Sequence, residues 1–445
     1  GRCPKSVQKP VICKTVRQYC KGLVSREDME KLLEIAEDYR KVKNYVYGRY
    51  GGIGSLSKLY PGYTVQNEMT SCGLRVKMGM PSVYFYLAVF DALGDIKTQW
   101  SRTKAKILEL VGKNEGLSPE EKHYLRFLLK VNNAFAAVLN QTEPKLPKDI
   151  QKAYDELSGQ TDTEKLHRYL RRQVRKYHKK QYTSVADGFS LSERAYRYGD
   201  HGIYISIKEK RKRVFIPLTD NNQYKRQMYI KLYPEMKKVE VRAPVDVAVK
   251  SHEDYVNTVG VAMGFYTMLT TDGGHRYGEE LGKYQEEYAR WMRSQTGSYN
   301  QNREQNPGRK KYEARKRRYT EQLHSYINHE LNRFLEEEKP GIVYTAKLPR
   351  PYGGGINRKI NQSISMWQRG YIRKRLELKC SQQSVEVSEV FGKGIGKMCS
   401  RCGAEGERKE GIFKCPVCGY EAEEKVNTAC NVKKRGIGGT SGKKP

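Results

Sequence analysis

Apolar positions change their spacing twice along this chain of 445 residues. From Ser25 to about residue 180 they recur every three or four residues. Met29, Leu32, Leu33, Ile35 and Ala36 follow Ser25, which is placed to cap a helix that carries acid at Asp28. The same spacing predicts helices at residues 84–90, 118–131, 149–157 and 163–180, interrupted at Gly51-Gly52 and Pro61-Gly62. From Gly202 the period becomes two. Ile203-Tyr204-Ile205, Val214-Phe215-Ile216, Met228-Tyr229-Ile230-Lys231-Leu232 and Val239-Glu240-Val241 alternate as half-buried strands do. A strand at residues 11–16 has no neighbour in sequence and must pair with these later ones. The pattern therefore predicts a small antiparallel β-barrel with a helical lobe inserted into it.

A third region begins near Tyr255. Residues 256–264 read as a buried strand and 265–271 as its antiparallel neighbour. A polar helical stretch follows from about residue 279 to 339, broken at Asn306-Pro307-Gly308. Then come a strand at 342–345, a flexible basic loop containing Gly353-Gly354-Gly355, and a helix at 363–380 anchored by Met366, Tyr371, Leu376 and Leu378. A strand at 385–390 leads into two CxxC turns, Cys399/Cys402 and Cys415/Cys418, and a helix at 422–435 closes the region. Four thiolates on two tight turns are what a tetrahedral Zn2+ needs at roughly 2.3 Å from each sulfur. With no His, Glu or open position beside them, the expected ion is structural. The four cysteines form a zinc ribbon.

Charge narrows the function. Lys and Arg number 83 against 50 Asp and Glu, a formal net charge of +33. Such an excess calls for a polyanion, and the usual one is nucleic acid. Candidate phosphate contacts are Arg171, Arg172 and Arg175 on the last lobe helix, where positive charge runs all round, and Lys208, Lys210, Arg211 and Arg213 on a hairpin of the barrel. Lys311, Arg315 and Arg318 lie on the long helix, and Trp367 and Tyr371 could stack on bases. The six remaining cysteines are scattered without a disulfide framework, which suits a reducing compartment. No secretory leader and no apolar run of about eighteen residues is present, so the expected location is the cytoplasm, with no membrane partner.

The order of strand, strand, long helix, strand, Ser363-Ile-Ser-Met-Trp367 helix, strand, ribbon and Asn427-Thr-Ala-Cys-Asn431 closing helix resembles the RuvC-like nuclease domain of TnpB proteins and of the compact type V CRISPR effectors. The resemblance covers residues 255 to 435 by motif and the rest by architecture. It implies a multidomain α+β protein. Residues 1–24 and 201–252 would form a β-barrel wedge domain and residues 25–200 an inserted helical recognition lobe. Residues 253–397 would be a RuvC/RNase H-like domain, 398–420 its zinc ribbon, 421–436 its closing segment and 437–445 a disordered tail. In that family a guide RNA pairs with target DNA beside a short flanking motif, in a bacterial or archaeal nucleoid.

The catalytic carboxylates of that pattern are replaced. The aligned positions are Ala262 in Gly260-Val-Ala-Met-Gly264, Thr345 after Ile342-Val-Tyr344, and Lys425 two residues before Asn427. Two hard cations about 4 Å apart need converging carboxylates to hold them, so no catalytic Mg2+ is expected. Three different replacements look natural rather than introduced. Glu423, Glu424 and Asp272 are the neighbours that could rebuild a site, but a shift of one residue turns a side chain away. His252 and His275 lack a paired acid or nucleophile. The expected function is guide-directed DNA binding without cleavage, which would repress transcription by occupancy or recruit a transcription or effector protein. Its rivals are an active RNA-guided endonuclease with a rearranged metal site and a non-guided zinc-ribbon accessory protein that binds nucleic acid directly.

Overall fold

The computed structural model describes residues 11–60, 62–299, 309–347 and 366–439. The expected glycine loop at 353–355, the helix break at 306–308 and most of the expected tail lie outside them. Contacts divide the chain into two compact units, one of residues 15–245 and one of residues 246–445 with 1–14.

In the first unit β1 (Val11–Tyr19) precedes α1 (Arg26–Tyr50), α2 (Tyr63–Ser71), α3 (Leu74–Met78), α4 (Ser82–Lys113), α5 (Pro119–Lys130), α6 (Asn132–Asn140), α7 (Lys148–Ser158) and α8 (Thr163–Tyr177). Ser25 caps α1 as its sequence predicts, its hydroxyl accepting from the Asp28 N–H at 3.1 Å. Ser118 and Glu121 close a capping box on α5. α4 organises the helices because Tyr84, Phe85, Ala88, Val89, Ala92, Leu93, Ile96 and Trp100 all fall on its buried side. Its first turn also meets the strands: Tyr84 packs edge-on against Phe189 at 5.3 Å and donates to the Ser206 carbonyl at 2.6 Å.

Two readings of this unit change. Charge does not run all round α8: Leu166, Leu170 and Val174, four residues apart, are fully buried, which confines the cations to the opposite side. Strands also resume before residue 201. β2 (Gly188–Leu191) and β3 (Tyr196–Gly199) are each four residues long, too short to show an alternating pattern in sequence. After them come β4 (Gly202–Ser206), β5 (Arg213–Pro217), β6 (Met228–Tyr233) and β7 (Lys238–Ala248). The strands make two sheets, one ordered β1-β7-β6-β2 and one β3-β4-β5. An isolated bridge from Cys20 to Leu218 links them. The early strand thus finds its partner in β7, and α1 to α8 lie in sequence between two strands of one sheet.

The second unit contains β8 (Asn257–Met263), β9 (Leu269–Thr271), β10 (Arg276–Tyr277), α9 (Leu281–Tyr299), α10 (Arg309–Glu338), β11 (Pro340–Ala346), α11 (Arg369–Gln382), β12 (Glu386–Val390), β13 (Glu407–Lys409), β14 (Ile412–Lys414), β15 (Glu421–Glu423) and α12 (Glu424–Ile437). Five strands form a sheet ordered β10-β9-β8-β11-β12. β9 runs antiparallel to β8 and β10, while β11 is parallel to both β8 and β12. One face carries Val259, Val261 and Val343 into a core with Leu281 of α9, Ile327, Leu331 and Phe334 of α10, and Ile372 and Leu376 of α11.

The opposite face receives α12. A Cβ on Gly260 of β8 would stand 2.4 Å from the Ala429 carbonyl oxygen, and one on Gly436 of α12 would stand 2.2 Å from the Tyr344 ring. Helix and sheet therefore approach to a distance that only glycine allows at these two points. β13, β14 and β15 make the small sheet of the ribbon, with Phe413 fully buried beside Cys399 and Cys415.

Candidate functional site

Each CxxC turn is built in the same way. Gly403 N–H donates to the Cys399 carbonyl at 2.9 Å, and Gly419 N–H to the Cys415 carbonyl at 3.0 Å. Both glycines sit at positive φ, 77° and 70°, where a side chain would be strained. The turns bring Cys399 Sγ to 3.6 Å from Cys418 Sγ and Cys402 Sγ to 3.5 Å from Cys415 Sγ, with all four sulfurs within 4.8 Å of one another. Sulfurs at the corners of a tetrahedron around Zn2+ stand about 3.8 Å apart, so the donor set fits the ion. The backbone N–H groups of Cys418 and Val417 pull the Cys415 thiol down to about 6, ready to bind as thiolate. A Zn2+ held there would fix the two turns together.

α12 then fastens the first turn to the sheet. Asn427 is fully buried; its Oδ1 accepts from Ser400 N–H at 2.9 Å and its Nδ2 donates to the Met398 carbonyl at 2.9 Å. One helical turn on, Asn431 Nδ2 donates to the Ile395 and Met398 carbonyls at 2.9 and 2.7 Å. Lys434 reaches the Ser400 carbonyl, and Arg435 the carbonyls of Phe391 and Lys393. Between the two asparagines Ala429 is the small residue that lets the helix lie on Gly260. The Asn-x-Ala-x-Asn spacing is thus a clamp: polar ends hold the loop before the ribbon, and the alanine faces the sheet.

Beneath α12 lies the floor on which the resemblance puts catalytic carboxylates. Ala262 is on this face with Gly260 and Gly264, and is buried. Thr345 is not on it. β11 pairs in parallel with β8 so that Tyr344 stands beside Gly260 and Thr345 beside Val261, and residues paired in this way point to the same side. Thr345 therefore faces α11 with Val261 and Val343, and Ala346, one step further on, comes beside Ala262. Tyr344 and Ala346 accordingly pack with Val432 of α12. Ala346, and not the expected Thr345, therefore shares this face with Ala262, which follows from strand register and could not be read from one strand alone. Lys425 completes the set, its Cε 3.7 Å from the place a Cβ on Gly264 would occupy.

The neighbouring acids are paired. Asp272 accepts from Gly260 N–H at 2.9 Å and bonds Lys433 Nζ at 2.7 Å. Glu423 holds Arg276 at 2.5 Å and Glu424 holds Arg408 at 2.8 Å. Among the described residues the four ribbon cysteines are the one cluster of three or more metal-binding side chains. His275, expected to lack a paired acid, is bound to Glu338 at 2.6 Å, and His252 stacks on Tyr255 at 4.2 Å.

The structure separates the candidate phosphate contacts. On α8, Lys165, Arg168, Arg172 and Arg175 line a groove of about 540 Å3 around Tyr169. Lys165 and Arg168 join the set because they share a helical face with Arg172 and Arg175, whereas Arg171 turns inward and donates to the Val138 carbonyl at 3.3 Å. On the β4–β5 hairpin Lys210, Arg211 and Arg213 are exposed, but Lys208 bridges Asp38 at 2.7 Å and Glu34 at 3.3 Å. Hydrogen bonding to Asp38 raises the Lys208 pKa. That lysine ties the hairpin to α1. Lys311, Arg315 and Arg318 form one exposed face of α10, with Arg315 5.9 Å above Trp291. Trp367 is half-buried with Arg369 5.8 Å from its ring. Tyr371 is already stacked on His324 at 3.6 Å and bonded to Asn328, so it belongs to the interior of its unit.

Comparison with known proteins places this unit. Residues 370–432 match the family described as Cas12f1-like, TNB domain, a stretch that runs from α11 through the ribbon into α12. A TnpB-like protein of Aquifex aeolicus (strain VF5) is 31% identical over 108 residues, 23% of this chain and 35% of the relative, so the chain matches about a third of that protein's length. Among solved structures, a Cas12f1-sgRNA-target DNA complex is similar with a TM-score of 0.42 at 13% identity, covering 95% of this chain and 99% of the other. The mini-RNA-guided endonuclease CRISPR-Cas_phi3 gives a TM-score of 0.45 at 9% identity, covering 96% and 92%. No helix among the described residues is long and apolar enough to cross a membrane.

Proposed function

We propose that this chain, with its Cas12f1-like TNB domain and its TnpB-like relative, is an RNA-guided DNA-binding protein that holds its target without cutting it. One observation carries the second half of that reading. The floor under α12 presents Ala262, Ala346 and Lys425, and each acid around it is engaged by a cation or a backbone N–H. Two divalent ions at a phosphodiester are held by converging carboxylates, whose charge offsets the repulsion between the metals. Two methyl groups offer no ligand, and the Lys425 ammonium repels a divalent ion at short range.

Support for the first half is electrostatic and chemical. A net charge of +33 and three separate exposed cation faces, on α8, the β4–β5 hairpin and α10, suit a long polyanion contacted along its backbone. Such contacts position a strand and carry no sequence information, so specificity would come from base pairing with a bound RNA. The ribbon, loaded with zinc, stiffens the loop before α12 and takes no part in chemistry. Occupancy of a promoter would then exclude polymerase and repress transcription.

The test is to purify the protein from its host, sequence the RNA that accompanies it, and measure binding and cleavage of DNA matching that RNA in Mg2+. The expected result is a discrete RNA, tight binding of the complementary duplex and intact DNA. Absence of RNA, or cleavage of the matched strand, would overturn the proposal.

A further inference from the structure

Three cations on α12 or paired with acids near it are committed. Lys433 is held by Asp272 at 2.7 Å, Arg276 by Glu423 at 2.5 Å and Arg408 by Glu424 at 2.8 Å. Lys425 has no hydrogen bond or ion pair among the described residues. Its stem lies over Gly264, with Cε 3.7 Å from the position of a Cβ there, and the floor beyond is the methyl of Ala262. The nearest acceptors are the Thr267 carbonyl beside Gly264 and the hydroxyl of Thr270, which pairs with Ala262, and Lys425 is bonded to neither. The acids next to it in sequence, Glu423 and Glu424, are turned to arginines. A lysine laid along apolar surface with its head unpaired keeps three donors available at a fixed place.

We propose that the Lys425 ammonium contacts a phosphodiester of the bound nucleic acid, so that the floor under α12 is a strand-binding site. The inference rests on the nucleic-acid-binding function proposed above. A polymer, and not a free anion, is the ligand that fits, because one lysine gives a weak site alone. A strand already held at other cations presents its phosphates at high effective concentration. Lysine is suited to the task as a point charge that can follow a phosphate without the fixed fork that arginine requires.

The experiment compares the wild type with Lys425→Met, which keeps the stem over Gly264 and removes the charge, and with Lys425→Arg, which keeps the charge. Exposed Lys130→Ala serves as the control. Affinity is measured in two arms, the accompanying RNA with RNA-free protein and the complementary duplex with RNA-loaded protein, each between about 50 and about 200 mM salt. Loss of one phosphate contact lowers the salt slope by about 0.7 to 0.9. The advantage of wild type over Lys425→Met should therefore shrink about threefold across that range, while Lys425→Arg and Lys130→Ala keep the wild-type slope. The arm in which this happens identifies the strand as guide or DNA. Equal slopes for wild type and Lys425→Met in both arms, with unchanged zinc content and melting, overturn the contact and leave the proposed function standing. Failure of the wild type to bind in either arm overturns both.

Discussion

Replacing Asn427 by alanine should loosen the ribbon without unfolding the chain, and the size of the effect can be worked from its contacts. The side chain is fully buried and satisfies the Ser400 N–H and the Met398 carbonyl. Met398 keeps a second donor, Asn431 Nδ2 at 2.7 Å, so its carbonyl is not orphaned. Ser400 N–H is, and a buried donor without a partner costs about 1–3 kcal/mol. Alanine returns about 0.6 kcal/mol through its higher helix propensity. The net loss is about 1–2 kcal/mol. Amide exchange of Ser400 and its neighbours from Ile395 to Gly403 should then accelerate by roughly five- to thirtyfold, while amides of α4 are unchanged. The double variant with Asn431→Ala also empties the Met398 carbonyl, so its cost should exceed the sum of the two single changes. If Asn427→Ala exchanges at the wild-type rate, or is more stable as helix propensity alone would make it, the clamp is wrong.

Three further outcomes follow from the same geometry. Cys402→Ser should abolish zinc binding and protection of residues 398–420 while the α4 core persists; one zinc per chain with a protected ribbon, by metal analysis and exchange, would contradict this. Lys208→Ala leaves the nearly buried Asp38 carboxylate without its cation and should cost about 1–3 kcal/mol of stability with no change in the salt slope of DNA binding, whereas exposed Arg211→Ala should do the reverse. Burial lowers the Lys104 pKa to about 8, so between about pH 8 and pH 10.4 the unfolded chain binds the extra proton and stability gains with rising pH. Denaturation of wild type and Lys104→Met across that range should show the gap between them closing as pH rises; a constant gap refutes the assignment.

The ribbon was legible because its information is local: two CxxC turns, each with its glycine, specify their own geometry. So were Ser25 and Ser118 as helix starts, and the order of elements from β8 to α12. What depended on pairing was not. Alternation within β11 says that Thr345 and Ala346 face opposite ways, but only the register against β8 says which one stands beside Ala262. β2 and β3 were hidden by their length. Among the cations, charge identifies candidates, yet Arg171 and Lys208 are used internally because Val138 and Asp38 lie within reach in space, 33 and 170 positions away in the chain. The asparagines of α12 were visible as a pattern, and their work, donating to two loop carbonyls and accepting from one amide N–H, required the fold.

The close seating of α12 on Gly260 and Ala429 has a consequence for how the unit is made. β8 leaves the ribosome roughly 160 residues before α12, which at about 5–20 residues per second is a delay of about 8 to 30 s. During that interval the strands can pair and α9, α10 and α11 can cover one side, but the side carrying Gly260, Ala262, Tyr344 and Ala346 has nothing to lie against it. The nascent domain must wait half-dressed, with an apolar face open to chaperones and to other chains, until its last helix arrives to close the sheet and seat the ribbon.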